Sequence, residues 1–205
     1  MFPSVLDNNL SARKDVKPFV TLALAFILLL SLALSFREIY SVDIGLHLAT
    51  GKWITSHKAF PQKDPFTYTV AENDYIDLYW MYQVFLSYID KAGGNFLLVC
   101  LNGLLITLSV YLMFYRSHHL SVPPPLLSLV ILFFVALTVN YEIRPHVFSW
   151  LYLNLLLLFF DRYYHDPNRS LVPVVVIMGL WVNTQPTFIL GWAVVFAYCI
   201  GRSLK

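Results

Sequence analysis

Long apolar runs, each stopped by charge or by proline, constrain this chain more than any other feature. A helix rising 1.5 Å per residue needs about 20 mostly apolar residues to cross about 30 Å of hydrocarbon. Four runs meet or approach that length: Pro18 to Phe36, Phe96 to Tyr115, Pro124 to Tyr141 and Pro145 to Phe160. A further run, Leu171 to Ile200, is about 45 Å long as one straight helix, and Asn183-Thr184-Gln185-Pro186 interrupts it near its middle. A polar cluster ending in a helix breaker favours two short spans joined at a membrane surface; one tilted, kinked span is the alternative. Hydrophobic residues make up 58% of the sequence and charged residues 13%, too little polar surface to cover a soluble domain. The expected fold is all-α: a polytopic transmembrane helical bundle of about six spans. Residues 1–205 form one domain, with 1–17 on the cytoplasmic side and 37–95 as an extracytoplasmic loop.

Lys and Arg in short loops stay on the cytoplasmic side. Arg13, Lys14 and Lys17, then Arg116, Arg162, Arg169, Arg202 and Lys205, all fall on one side of a six-span arrangement, which puts the N-terminus inside. Ser35-Phe36-Arg37 is a poor cleavage site, so the first span is expected to be an uncleaved anchor. A net charge of +2, with the basic residues scattered, argues against a nucleic-acid partner. Cys100 and Cys199 lie within apolar runs and are expected to pack, not to react. The chain has no phosphate-cradling glycine loop, no Gly-x-Ser-x-Gly elbow and no His-Glu-x-x-His element. No inverted repeat points to a transporter.

The loop between the first two long runs carries the unusual chemistry. Ile44, Leu46, Leu48, Trp53 and Ile54 are spaced among polar residues as in a helix lying at the interface, from Ile44 to Ala59. Phe60-Pro61 and Asp64-Pro65 predict a turn, and Phe66 to Thr69 a short extended piece. The aromatic run Tyr75 to Ile89 predicts a second interfacial helix, stopped by Gly93-Gly94.

Asp43 stands a few residues from hydrocarbon, where an ionised carboxylate needs a partner, a metal or a water-filled cavity. On a helix, His47 shares its face. The pair would hold a cation or poise a general base near neutral pH; an ordinary ion pair or interfacial anchor is the alternative. Two residues are too few to define an ion, so a divalent cation stays open. Glu142, Arg144 and His146 before the fourth span, and Asn183 with Gln185 in the last turn, fall on the same membrane face. Together they suit an anionic head group beside lipid, with Arg144 offering a forked donor to phosphate. A simple Glu142–Arg144 pair at a span end is the alternative there.

The string Asp43-Ile44-Gly45-Leu46-His47-Leu48-Ala49-Thr50-Gly51-Lys52-Trp53-Ile54, then Phe60-Pro61, Asp64-Pro65-Phe66-Thr67-Tyr68-Thr69 and Trp80, resembles the first outer loop of bacterial membrane glycosyltransferases of the GT-C superfamily. Arg144-Pro145-His146 and Trp181-Val182-Asn183 fall where such proteins carry an Arg-Pro pair and a Trp-x-Asn element. The resemblance implies transfer of a sugar from a polyprenyl-phosphate carrier at the outer face of the membrane, with Asp43 at the catalytic centre and Arg144 on the departing phosphate. It implies a bacterial inner-membrane location, with membrane lipid and a lipid-linked sugar donor as partners. Full members have more spans, so the chain is expected to be an N-terminal module or one piece of an assembly with a partner subunit. Where such proteins continue from Asn toward a His-Gly pair, this chain has Thr184-Gln185-Pro186. A non-enzymatic, transferase-like subunit that binds the carrier or a partner is the alternative function.

Overall fold

The computed structural model describes residues 21–22, 24–36, 38–39, 43–66, 73–119 and 142–204. The N-terminal segment 1–17, the extended piece around Thr67 to Thr69 and the expected span 124–141 lie outside the described residues. The rest is helical: α1 (Leu24–Ser35), α2 (Asp43–His57), α3 (Trp80–His119), α4 (His146–His165), α5 (Val172–Thr184) and α6 (Phe188–Ser203). Among the described residues the only β pairing is an isolated antiparallel bridge between Lys63 and Asp74, which closes the loop between α2 and α3. Backbone bonds from Asp64 N to Asn73 O (3.1 Å) and from Tyr75 N to Gln62 O (3.0 Å) hold it.

The helix ends follow local chemistry. Asp43 places a negative charge in the first turn of α2, favourable toward the positive end of the helix dipole. At the other end Lys58 turns left-handed (φ 51°) and donates its N–H to Ile54 O at 2.8 Å, the bond that satisfies a terminal carbonyl. In α3 the helical dihedrals fail at Gly93 (φ −158°, ψ 17°) and Gly94 (φ 58°, ψ −153°); the Gly94 conformation is open essentially to glycine alone. A kink therefore divides the aromatic first half from the long apolar second half, as the Gly-Gly pair predicts. Pro at the opening of α5 suits a first turn that lacks N–H partners.

Packing gives the directions. Ser31 reaches Thr107 (3.2 Å) while Ile27 packs on Val110, so α1 runs antiparallel to α3. Leu98 clusters with Ile143, and Arg116 pairs with Asp161 (2.5 Å), so the second half of α3 runs parallel to α4. Gly191 sits against Met178 and Trp181, and α5 and α6 fold back as an antiparallel hairpin. That observation favours two separate segments over one kinked span. One end of the bundle thus gathers α2, the start of α3, the entry to α4 and the α5–α6 turn. The other gathers Arg116, Asp161 and Tyr198, whose hydroxyl donates to Asp161 at 3.0 Å.

The face α2 buries differs from the apolar pattern expected of it. His47, Thr50, Gly51 and Ile54 are the buried residues, a stripe at i, i+3, i+4 and i+7 made mostly of small and polar side chains, and Leu46 is exposed. The cause is the closeness of α3. A Cβ on Gly51 would lie 2.1 Å from Gln83 O, so only glycine lets the two backbones meet, and Lys52 locks the pair through Asp90 at 2.7 Å.

Among the described residues one helix, α3 over Trp80–Ser117, is long and apolar enough to cross a membrane by length and composition; α1, α5 and α6 are apolar but shorter. Gly51→Ala is expected to lower stability by about 1–3 kcal/mol. Gly45→Ala, which meets nothing within 4 Å, is expected to raise it by about 0.5–1 kcal/mol through helix propensity. Thermal unfolding of the two purified variants in detergent checks the contrast, and equal shifts would contradict the packing described.

Candidate functional site

The first turn of α2 and the segment leading into α4 meet at Arg144. Its Nη2 lies 3.4 Å from Asp43 Oδ2, and its Nε lies 2.6 Å from Glu142 Oε2, a close ion-pair contact without an aligned hydrogen bond. Residues about a hundred positions apart are brought together because Ile143 is buried against Tyr82, Leu86 and Leu98, flanked by Ile44 and Leu48 of α2. Ile143 thus anchors the strip on which its two charged neighbours stand. The Asp43 and Arg144 side chains are 55% and 42% exposed, open enough for a solute to reach both. A pair this exposed contributes at most about 1 kcal/mol, so an incoming charge can exchange with either partner.

Beneath this ion cluster lies His47, only 7% exposed. Tyr79, just before α3, and Tyr82 of α3 meet its ring edge-on, with centroids 5.4 and 5.2 Å away. Its Nδ1 faces Gln83 Nε2 at 3.3 Å. Burial lowers the His47 pKa, and Arg144 lowers it further; Asp43 acts against both, less strongly than burial. His47 is therefore held as neutral imidazole. Asp77, in the turn before α3, accepts a bond from Tyr79 N at 2.9 Å; burial raises its pKa, while that bond and the Gln83 amide act to lower it.

The remaining expected residues take other positions. His146 stacks edge-on against Trp150 (5.0 Å) in the first turn of α4, within reach of the charges of Arg144 and Glu142. Asn183 Oδ1 accepts from Trp80 Nε1 at 2.9 Å, tying the end of α5 to the start of α3. Gln185 accepts from Ser149 (3.2 Å) and from the Thr187 backbone N–H and hydroxyl. Ser149 in turn accepts from Trp181 Nε1 at 2.9 Å. The side-chain oxygens of Asn183 and Gln185 thus hold the α5–α6 turn against α3 and α4. The same holds for Trp181 of the Trp-x-Asn element, which is fully buried.

Among the described residues no three His, Cys, Asp or Glu side chains lie close enough to share a metal ion. Asp43 with His47 offers two ligands at most, and no ion is assigned. An apolar cleft of about 1340 Å³ runs along α5 and α6, lined by Tyr163, Val174, Met178, Trp192, Tyr198 and Arg202 among others. None of Asp43, His47, Glu142 and Arg144 lines it.

Sequence reasoning missed Asp77 and Gln83. Gln83 stands in an aromatic run where an amide looks like a solvated position, yet it is only 2% exposed. The available signal is its place in the first turn of a helix that also presents Tyr82 and directly follows Tyr79. No family model, curated protein sequence or solved structure matches the chain.

His47 gives a pH dependence of definite sign. Its folded pKa lies below the ordinary 6.5, so the unfolded chain binds more protons at mildly acid pH. The stabilising contribution is complete above that value and is lost as pH falls through it toward the folded pKa. Wild type is expected to lose more stability than His47→Gln between about pH 7.5 and 5.5, at up to about 1.4 kcal/mol per pH unit. Parallel thermal-unfolding curves in detergent check this; identical slopes for the two proteins would contradict a buried neutral imidazole.

Proposed function

We propose that this chain is a multi-span membrane glycosyltransferase of the GT-C type, or the N-terminal module of one, that takes sugar from a polyprenyl-phosphate carrier at the outer face of a bacterial inner membrane. The observation that carries the proposal is the solvent-reachable juxtaposition of Asp43 and Arg144 at one end of an apolar helical bundle, with both residues in segments that resemble that family. The lipid setting is supported by where the apolar surface faces. Leu22, Phe26, Leu29, Val175, Ile189 and Phe196 are all at least 60% exposed, and only 39% of the most apolar window of α3 is buried. Outward apolar faces of that extent belong in hydrocarbon. Inward contacts such as Ser31–Thr107 and Gly103 against Ser35 are the small and polar kind that join helices within lipid. The expected orientation then puts the Arg116–Asp161 end in the cytoplasm.

The chemistry follows from the exchangeable ion pair. In the resting arrangement Arg144 is paired with Asp43. A carrier phosphate offers Arg144 a stronger, bidentate partner, and its capture releases the carboxylate. Asp43 then takes the proton of an acceptor hydroxyl as the acceptor oxygen bonds to the anomeric carbon. The bond from that carbon to the phosphate oxygen breaks, and the phosphate leaves with the electron pair, its charge held by Arg144. Glu142 keeps Arg144 oriented when Asp43 lets go.

A second reading is favoured by the pairing of Arg144 with two carboxylates, the arrangement of a purely structural anchor. In that case the protein is a non-enzymatic subunit that binds lipid-linked carrier or a partner chain. The test uses radiolabelled polyprenyl-phosphate sugar with purified wild type, Asp43→Asn and Arg144→Ala, following both binding and transfer to membrane acceptors. Asp43→Asn is expected to keep binding and lose transfer by about 100- to 10,000-fold, while Arg144→Ala loses binding. Binding without transfer in wild type would favour the second reading, and no binding at all would overturn both.

A further inference from the structure

Outside the Asp43 cluster, the most unusual polar group is the buried chain His47–Gln83–Asp77. His47 and Gln83 are almost wholly enclosed, Gln83 Nε2 stands 3.3 Å from His47 Nδ1, and the Gln83 amide lies beside the Asp77 carboxylate. Gln83 Oε1 and Asp77 Oδ2 are both buried without an aligned hydrogen bond. Side-chain amides with unpaired oxygens are costly inside a protein, so the orientation of this one calls for a reason. Asp77 supplies it. A carboxylate only accepts hydrogen bonds, so the end of the amide turned toward it is the NH2 group, and that same NH2 has a second hydrogen for the imidazole. An NH2 group donates, so the nitrogen of His47 that it faces must carry the lone pair.

We infer that Asp77 and Gln83 are positioning residues that fix His47 as its Nε2–H tautomer, so that its Nδ1 lone pair is engaged and Asp43 is left as the sole base. This deepens the transferase proposal and rests on it for its catalytic meaning. The tautomer itself rests on the contact of Gln83 Nε2 with His47 Nδ1. The charged and titratable groups around His47 are Asp43 on its own helix, Arg144 from the segment before α4, Tyr79 from the turn before α3 and Tyr82 from α3. Arg144 disfavours a second proton on the ring, and the two tyrosines meet it by their edges. None of these replaces the amide as the partner of Nδ1. The arrangement separates two roles that the pairing of Asp43 with His47 leaves open from sequence: the imidazole is neither a base through Nδ1 nor a ligand through it, since that lone pair is engaged.

The test is nitrogen NMR of the full chain in detergent, with ¹⁵N-labelled histidine and the His47 signal assigned by its loss in His47→Gln. At neutral pH wild type is expected to show a neutral ring with Nδ1 unprotonated and Nε2 protonated. Gln83→Glu, which puts an acceptor where the donor stood, is expected to reverse the tautomer to Nδ1–H. Gln83→Leu is expected to give a mixture, and Asp77→Asn a partial shift. A wild-type ring protonated on Nδ1, or a tautomer indifferent to Gln83→Glu, would overturn the inference. Because no substrate is present, the transferase proposal fails separately: a confirmed tautomer in a protein without sugar transfer would refute that proposal and leave the positioning network standing. If transfer is present, Gln83→Glu is expected to shift its pH profile while donor binding is unchanged.

Discussion

Everything at the polar end of this molecule depends on how closely α2 approaches the first half of α3. Gly51 has no side chain to hold the helices apart, and its Cα faces the backbone of Gln83 directly. That contact buries the His47 face of α2 and leaves Asp43, one turn earlier, at the rim. It also sets the amide of Gln83 against the imidazole. The kink at Gly93-Gly94 is the second half of the same device: it frees the aromatic half of α3 to lie against α2 while the apolar half continues down the bundle. Two short glycine elements thereby convert a long apolar helix into a floor for a polar cluster.

The two ends of the bundle use charge differently. At one end Arg116, Asp161 and Tyr198 join three helices by a short ion pair and a hydroxyl bond, all partly buried. At the other end Arg144 joins α2 to the entry of α4 through contacts that are half exposed and geometrically loose, at 3.4 Å to Asp43. A tight, sheltered pair holds elements together, whereas a loose, wet one is free to exchange partners. This contrast separates a sheltered arginine that joins helices from one that is open to exchange.

Much of the helical layout is legible in the sequence because lipid-sized apolar runs and Gly/Pro punctuation are strong, local signals. The Gly93-Gly94 break, the helix from Asp43 and the turn at Gln185-Pro186 all follow from them. The face of α2 is only partly legible that way: Ile54 is buried and Ile44 and Leu48 pack on the core, but the glycine-mediated contact also buries His47 and Thr50. Asp43, Glu142 and Arg144 are recognisable as unusual because ionised groups beside apolar runs need partners. Asn183 and Gln185 look equally unusual, yet their hydrogen bonds to Trp80, Ser149 and Thr187 serve the turn itself. Only side-chain geometry distinguishes an amide that holds a turn from one that faces a ligand. Gln83 and Asp77 escape notice for the converse reason, since their burial is created by the tertiary contact and leaves no mark in local composition.

The central claim is that the Asp43 end faces the outside of a bilayer and the Arg116 end the cytoplasm. The most direct measurement is labelling of intact bacterial cells with a membrane-impermeant maleimide, using a variant in which Cys100 and Cys199 are replaced by serine and one new cysteine is introduced at a time. Lys63→Cys in the loop after α2 is expected to label in intact cells, and Ser203→Cys at the end of α6 only after the membrane is permeabilised. Labelling of both positions in intact cells, or of Ser203→Cys alone, would contradict the account.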